Sequence, residues 1–247
     1  MSARLKFIVG YDGAKFAGWQ SQLHGKTAQD ELERAFHKIS GARIRVHGAG
    51  RTDAGVHALA QCAHVDLPDR KITAKRWLAA LNAVLPGTIR VLSCRYVPRD
   101  FHARYSATGK LYRYRIWAAP ILPPLEMGRV WHVAASLNVD IVKSAAAIFE
   151  GKHDFAAFAA NRGKKEENTV RTIRSVRVRK IGPCVTIEVA GDGFLYKMVR
   201  LMVGAMSQVG LGKLELSEVA KRLESRRVDG FRFVAPAEGL YLVRVWY

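Results

Sequence analysis

The stretch Gly48–His57 constrains the fold more than any other part of the chain, because three glycines fall within eight positions. It follows Arg43–Val46, where apolar and basic residues alternate with the two-residue period of a half-buried strand. Glycine opens backbone conformations that other residues avoid and lets another segment approach closely. We therefore predict two strands, Arg43–Gly48 and His57–Leu67, joined by a turn of defined shape.

One carboxylate, Asp53, stands in this turn, two residues after Arg51 and four before His57. The simplest interpretation is that Asp53 caps the turn by accepting hydrogen bonds from nearby amides. The alternative is that it acts as a nucleophile or proton acceptor on a bound substrate. An ionised carboxylate in a partly dry site needs a cation or amide donors nearby. Arg200 is a candidate for that cation, on a helix predicted to start near Phe194 with Lys197 and Arg200 at i and i+3.

The net charge favours a polyanionic partner. The chain has 40 Lys and Arg against 21 Asp and Glu, a net charge of +19 and a pI near 10.3. Basic residues alternate along strand-like runs, so that Arg177 and Arg179 share one face and Val176 and Val178 the other. This pattern is typical of a nucleic-acid-binding surface, although a merely solvated face has the same alternation.

Several classes of protein are disfavoured. No apolar run reaches the ~18 residues that a membrane span needs, and the N-terminus has no signal-peptide pattern, so we expect a cytoplasmic protein without a membrane segment. The three cysteines are widely spaced, which predicts reduced thiols and no zinc site. Phosphate-loop, dinucleotide-binding and hydrolase-elbow motifs are absent. A metal site built from His47, Asp53, His57 and His64 remains an alternative, while His64 alone is more typical of a structural histidine.

The order of predicted elements repeats. Each half reads strand-helix-strand-strand-helix-strand, with helices that follow Thr27 and Thr73 in the first half and Asn138 and about Phe194 in the second. This is the ferredoxin-like order. We predict an α+β protein of two ferredoxin-like halves, residues 1–104 and 105–247, whose sheets flank a basic cleft. Residues 161–169 are polar and lysine-rich and are predicted to form a loop.

The chain resembles the TruA family of tRNA pseudouridine synthases over almost its whole length. The most specific likeness is Gly50-Arg51-Thr52-Asp53-Ala54-Gly55-Val56-His57-Ala58. Further matching motifs are Tyr11-Asp12-Gly13, Gly18-Trp19-Gln20, Leu85-Pro86-Gly87, Phe101-His102-Ala103-Arg104-Tyr105-Ser106, Tyr112-Arg113-Tyr114, His153-Asp154-Phe155, Met198-Val199-Arg200 and Glu238-Gly239-Leu240-Tyr241. Small departures, such as Ala60 where some relatives carry Gly, leave the chemistry intact.

The resemblance implies isomerisation of uridine to pseudouridine in the anticodon arm of tRNA, at positions 38, 39 and 40, by a homodimer that uses no cofactor or metal. It implies that Asp53 is the catalytic aspartate and that Arg51 helps to displace the target base. Tyr112 would pack on the uracil ring, although a strand tyrosine is more often part of the core. Arg200 would pair with the aspartate, although an ordinary solvated helix cation fits its position equally well.

The residues leave open the route of the reaction and two rival classes of protein. Asp53 has three possible actions: attack on ribose C1′, attack on C6 of uracil, or removal of the 2′ proton. A non-catalytic RNA-binding module is the main rival to an enzyme, and a metal-dependent nuclease is a third class. A carboxylate at the centre of an RNA-binding surface favours the enzyme, because binding alone gains nothing from it.

Overall fold

The computed structural model describes residues 3–23, 25–160, 168–225 and 233–247. The chain forms two compact units: unit 1 is Met1–Thr108 with Tyr241–Tyr247, and unit 2 is Gly109–Leu240. The C-terminal strand, which the sequence assigned to the second domain, thus groups with the first. Most of the predicted 161–169 loop lies outside the described residues. Within the described ranges no helix is long and apolar enough to cross a membrane.

Unit 1 has the predicted order of elements and a mixed sheet. Its elements are β1 (Ala3–Tyr11), α1 (Ala28–Ser40), β2 (His47–Gly48), β3 (His57–Leu67), α2 (Ala74–Val84) and β4 (Ile89–Val97). Strand β1 lies between β3 and β4 and is antiparallel to both. Short β2 is antiparallel to one end of β3, while the chain's last strand, Leu240–Trp246, runs parallel to the other end. Two short partners therefore share one edge of β3.

The strand predicted over Arg43–Gly48 is mostly not paired, which corrects the sequence prediction. Only His47 and Gly48 pair with β3. The preceding residues do alternate between exposed and buried, with Ile44 and Val46 inside. The Val46 amide donates instead to the Glu33 carboxylate on α1, at 3.0 Å. The alternation was a correct signal of burial, but it did not reveal that a side chain satisfies the backbone here.

The helices of unit 1 begin where the sequence indicates. The Thr27 hydroxyl accepts from the Asp30 amide, and the Asp30 carboxylate accepts from the Thr27 amide, so a capping box starts α1. The Thr73 hydroxyl caps α2 in the same way. The apolar face of α1 packs its Phe36 ring against Phe7 of β1 and Trp77 of α2. These contacts form the core on one side of the sheet.

Among the described residues, unit 2 combines five strands with three helices. Its elements are β5 (Gly109–Ala118), β6 (Trp131–Val133), α3 (Val139–Ala147), β7 (Gly151–Asp154), β8 (Val170–Ile181), β9 (Cys184–Gly191), α4 (Met198–Gly210) and α5 (Leu216–Ser225); the chain's last strand is β10 (Leu240–Trp246). Strand β9 lies between β5 and β8, antiparallel to both, and β7 pairs with β8. The order β5, α3, β8, β9, α4 confirms the prediction, whereas β6 and β7 were not predicted. The α+β class is confirmed.

Helix α4 begins at Met198, four residues later than predicted. Lys197 precedes it in the left-handed conformation, with φ +58°. Such a residue ends the preceding turn, so the apolar pattern from Leu195 does not belong to one continuous helix. From Leu201 to Gly210 every residue of α4 is buried. The expected i, i+3 helical pair of Lys197 and Arg200 is therefore wrong, because Lys197 lies outside the helix.

Candidate active site

Asp53 lies on the segment between β2 and β3, here called the aspartate loop (residues 49–56). Along its centre Arg51 is exposed, Thr52 is buried and Asp53 is partly exposed. The buried Thr52 points into unit 1, and the residues on either side of it reach the surface. The loop therefore presents a guanidinium and a carboxylate to solvent from one short stretch of backbone.

Hydrogen bonds hold the aspartate loop from several sides. The Thr52 hydroxyl bonds the Tyr11 hydroxyl at 2.7 Å in a buried setting, and the Trp19 amide donates to the Thr52 carbonyl at 3.0 Å. The Gln61 amide nitrogen donates to the Gly50 carbonyl at 2.8 Å. Burial raises the pKa of the Tyr11 phenol, so this hydroxyl stays protonated. These bonds fix the backbone on which Asp53 is carried.

Two glycines allow the β1–α1 connection to press against this loop. A Cβ on Gly13 would lie 2.1 Å from the Val56 carbonyl oxygen, and one on Gly18 would lie 2.8 Å from the Thr52 carbonyl oxygen. Gly18 also has φ +98°, which strongly favours glycine. Only backbone without a side chain fits at both places. The motifs Tyr11-Asp12-Gly13 and Gly18-Trp19-Gln20 therefore support the aspartate loop.

The aromatic residues Phe16 and Trp19 on the β1–α1 connection are structural. They are 7% and 2% exposed. The Trp19 ring lies 6.0 Å from the Tyr11 ring and fills the space beside Gly48. Both rings thus pack under the aspartate loop and are not available to a ligand.

A glutamine relay orients Arg51. The Arg51 Nε donates to Gln20 Oε1 at 3.1 Å, and Gln20 Nε2 donates to Gln29 Oε1 at 2.8 Å. Gln29 is buried on the first turn of α1 and also bonds the Glu33 carboxylate. The exposed guanidinium is thereby attached to a rigid helix. Sequence reasoning missed this relay, although the Gly18-Trp19-Gln20 motif was a signal for it.

His57 ends the loop in a structural role. Its Nδ1 accepts from the Gly13 amide at 3.0 Å, and its ring stacks on Tyr241 at a centroid distance of 4.7 Å. The Asp12 carboxylate lies 3.2 Å from the same nitrogen. The His57 ring is thus held against the β1–α1 connection on one side and against Tyr241 on the other.

The alternative metal site is not formed by the residues that suggested it. Among the described residues no three His, Cys, Asp or Glu side chains come together as metal ligands. His64 is 1% exposed, and its Nδ1 accepts from the Ala103 amide at 3.2 Å. Burial, followed by the charges of Arg4, His102 and His47, lowers its pKa to about 4. His64 is therefore a neutral, structural histidine at pH 7.

The lowered pKa of His64 predicts a loss of stability in mild acid. Unfolded histidine titrates near pH 6.5, so between pH 6.5 and 4 the unfolded state binds a proton that the folded state does not. Stability is therefore complete above pH 6.5 and falls as the pH falls. We expect His64 to account for about 2 kcal/mol of the loss between pH 7.5 and pH 5.

The test is urea unfolding of the wild type and of His64→Asn at both pH values. Asparagine keeps an acceptor near the Nδ1 position but does not titrate. The variant should lose about 2 kcal/mol less than the wild type over this range. Comparing each protein with itself cancels any constant cost of the substitution. An equal loss in both proteins would contradict the assignment.

Tyr112 and Arg200 lie in unit 2. Tyr112 is on β5, on the same buried face as Tyr114 and Ile116, and is 7% exposed. Its ring meets the Phe194 ring edge-on, at 5.0 Å between centroids. This contact is compatible with the core-packing interpretation of the tyrosine. A role towards uracil stays a prediction.

Arg200 is held by the segment that follows residue 232. Its Nε donates to the Ala235 carbonyl at 2.7 Å, and the Ala235 amide donates back to the Arg200 carbonyl at 3.1 Å. The Tyr114 hydroxyl donates to the next carbonyl, of Pro236, at 2.7 Å. Successive carbonyls therefore tie α4 and β5 together around Arg200. Nothing in the local sequence indicated this link.

The structure thus groups the four predicted residues in two pairs. Arg51 and Asp53 share the aspartate loop of unit 1. Tyr112 and Arg200 belong to unit 2, where residues 235–236 bind Arg200 and the tyrosine two places after Tyr112. The first pair is partly or fully open to solvent, as a site for a nucleoside requires.

Comparisons with known proteins show the family to which the chain belongs. A family model described as tRNA pseudouridine synthase matches residues 7–106 and 145–247. The chain therefore belongs to the tRNA pseudouridine synthase family, which confirms the resemblance found in the sequence. Members of this family are isomerases that act on tRNA.

Individual relatives match the chain nearly end to end. A protein of Akkermansia muciniphila named tRNA pseudouridine synthase A is 50% identical, covering 99% of this chain and 95% of that protein. Proteins of the same name from Methylacidiphilum infernorum and Acetivibrio thermocellus are 45% and 43% identical. Each alignment covers 98% of this chain, with 94% and 99% of the relative, respectively.

Proposed function

We propose that this protein isomerises uridine to pseudouridine at positions 38, 39 and 40 in the anticodon arm of tRNA, with Asp53 as the catalytic residue. The observation that carries the proposal is the aspartate loop. Its backbone is fixed by buried hydrogen bonds, yet it brings a carboxylate and a guanidinium to the surface two residues apart. Membership of the family supports tRNA as the substrate.

The chemistry needs a carboxylate and an extruded base. The bond between ribose C1′ and N1 breaks, the uracil turns, and C1′ joins C5; the C5 proton leaves to solvent and N1 gains a proton. The carboxylate of Asp53 attacks C1′, attacks C6, or removes the 2′ proton, and all three routes remain open. A base within a stack must first be flipped out, at a cost of a few kcal/mol.

The other site residues take supporting roles in this proposal. Arg51 fills the space that the base leaves and binds phosphate, two tasks that suit a planar guanidinium. Its attachment to Gln20 supports this role, because a pre-oriented side chain loses less entropy on binding. Tyr112 packs on the flipped uracil, and Arg200 pairs with the carboxylate of Asp53. These two roles come from the family resemblance.

RNA binding by this chain is expected to be largely electrostatic. Arg177 and Arg179 are exposed on β8, on the face opposite buried Val176. Together with the net charge of +19 they supply phosphate contacts, which make affinity fall steeply with salt. A homodimer in the cytoplasm that works without cofactor or metal completes the proposal.

Comparison of tRNA from cells with and without this protein tests the proposal directly. Mass spectrometry after cyanoethylation of pseudouridine, which marks it against uridine, should show loss of the modification at positions 38–40 alone. Restoring the gene should restore it. Pseudouridine that persists at positions 38–40 without the protein would contradict the proposed site of action. Loss of pseudouridine at other positions would show that the protein acts on another arm of tRNA.

A further inference from the structure

Four aromatic rings form a row in unit 1 that ends at the surface. The ring centroids of His47 and His64 are 5.0 Å apart, those of His64 and His102 are 4.7 Å apart, and those of His102 and Tyr105 are 4.4 Å apart. We call this the four-ring row. Tyr105 is 78% exposed, so its ring rests on His102 and is otherwise open to solvent.

The turn that carries Tyr105 is held by hydrogen bonds. The His102 amide donates to the Ser106 hydroxyl at 2.9 Å, and the Ser106 amide donates to the His102 carbonyl at 2.9 Å. His102 Nδ1 accepts from the amides of Arg104 and Tyr105, at 3.1 and 3.3 Å. The imidazole that supports the Tyr105 ring thus also shapes its backbone. A ring fixed before binding loses little entropy when a ligand stacks on it.

The same turn is attached to the sheet and lies near the aspartate loop. Ala103 is buried with Ala49, the first residue of the aspartate loop, and its amide donates to His64. The Arg4 guanidinium donates to the carbonyls of Arg99 and Phe101, at 2.6 and 2.7 Å. Tyr105 therefore stands on a rigid part of unit 1, beside the base of the loop that carries the proposed catalytic group.

The surroundings of Tyr105 are cationic. Arg99 and Arg104 outnumber the one exposed acid on the same connection, Asp100, and the Arg104 guanidinium carbon lies 5.8 Å from the centre of the Tyr105 ring. The nearby Asp66 carboxylate is occupied by a bidentate contact with Arg4. An exposed ring among cations matches unpaired nucleic acid, in which bases stack on aromatic side chains while phosphates meet the cations.

We propose that Tyr105 is a stacking platform for an unpaired base of the RNA substrate. This inference rests on the proposed function for the identity of the RNA. A base in a duplex is already stacked on both faces, so the platform selects RNA that offers an unpaired base. The platform adds affinity through the ring and not through a further phosphate contact.

Binding measurements on Tyr105→Ala test the platform. The probes are a tRNA transcript and a fully paired RNA duplex of similar charge. We expect about tenfold weaker binding of the transcript, in line with stacking on one side chain, and no change for the duplex. Tyr105→Phe keeps the ring and should keep the affinity. Leu92→Ala, which also removes an exposed apolar side chain, is the matched control.

The salt dependence separates stacking from a phosphate contact. Tyr105→Ala should weaken transcript binding at every salt concentration without changing the slope of log affinity against log salt. Arg104→Ala, in contrast, should reduce that slope by about one. Because the Tyr105 ring is exposed, its removal should leave the urea midpoint of unfolding unchanged.

The outcomes for the two proposals are distinct. The platform is overturned if Tyr105→Ala binds the transcript as tightly as the wild type does. It is also overturned if the variant loses as much affinity for the duplex as for the transcript, or if it loses self-association and keeps its RNA affinity. Absence of pseudouridine in transcript treated with the wild type overturns the proposed function instead. The ratio of the wild-type affinity to the Tyr105→Ala affinity tests the platform whether or not the protein forms pseudouridine, because RNA binding can be measured without turnover.

Discussion

Replacing Asp53 with Asn should abolish pseudouridine formation while tRNA stays bound. Asparagine has nearly the same shape, and the backbone bond from the Val56 amide to the residue 53 carbonyl is unaffected. The substitution removes the group that attacks or takes a proton, which should lower the rate on the order of a thousandfold or more. Affinity should not fall, because a negative charge is removed from a protein that binds phosphates.

Tritium release from tRNA labelled at uridine C5 measures the loss, since each turnover frees one C5 hydrogen. Filter binding of the same tRNA measures affinity. Asp69→Asn, which removes a partly exposed acid in the turn after β3, serves as the matched control and should keep full activity. Turnover at the wild-type rate in Asp53→Asn would end the catalytic role and favour the RNA-binding module.

Replacing Gly13 with Ala should displace the aspartate loop without touching Asp53 itself. The new Cβ would lie 2.1 Å from the Val56 carbonyl oxygen and 2.3 Å from its carbon, far inside contact distance, and both are backbone atoms. Overpacking of this kind costs about 1–3 kcal/mol of stability. A shift of about 1 Å at a reacting group lowers the rate on the order of a hundredfold.

Urea unfolding and tritium release on one preparation measure the two effects. Gly87→Ala is the control, because a Cβ there meets only the end of the Arg90 side chain, at 4.0 Å, and Gly87 does not have positive φ. The rate should fall at saturating tRNA, while affinity changes little. A Gly13→Ala protein as stable and as active as Gly87→Ala would show that the loop is not held at this point.

Much of the fold could be predicted, because local chemistry decides it. Thr27 and Thr73 begin helices through hydrogen bonds to residues three places ahead, and such caps are visible in the sequence. The predicted order of elements in unit 1 is also observed. In these elements the sequence pattern and the interactions that produce the structure both lie within one helical turn or one strand.

The misses have long-range causes. Residues 43–46 alternate in burial as a paired strand does, but their backbone bonds a glutamate on α1 and not another strand. The predicted start of α4 was wrong because nothing in the apolar sequence around Lys197 indicates that this residue adopts the left-handed conformation. The aspartate was identified from its own motif. The hydrogen bonds that support Arg51 through Gln20 and Gln29, and Arg200 through Ala235, join residues that only folding brings together.

The place of β10 has a consequence for how the protein is made. Tyr241 stacks on His57, the Thr108 amide donates to Trp246, and the Tyr247 hydroxyl donates to Ala103. A nascent chain that has reached residue 108 therefore lacks part of the scaffold beneath its aspartate. Synthesis must proceed through more than a hundred further residues before that scaffold closes. We therefore expect chains that end before β10 to lack this support for the aspartate loop, and with it the activity proposed above.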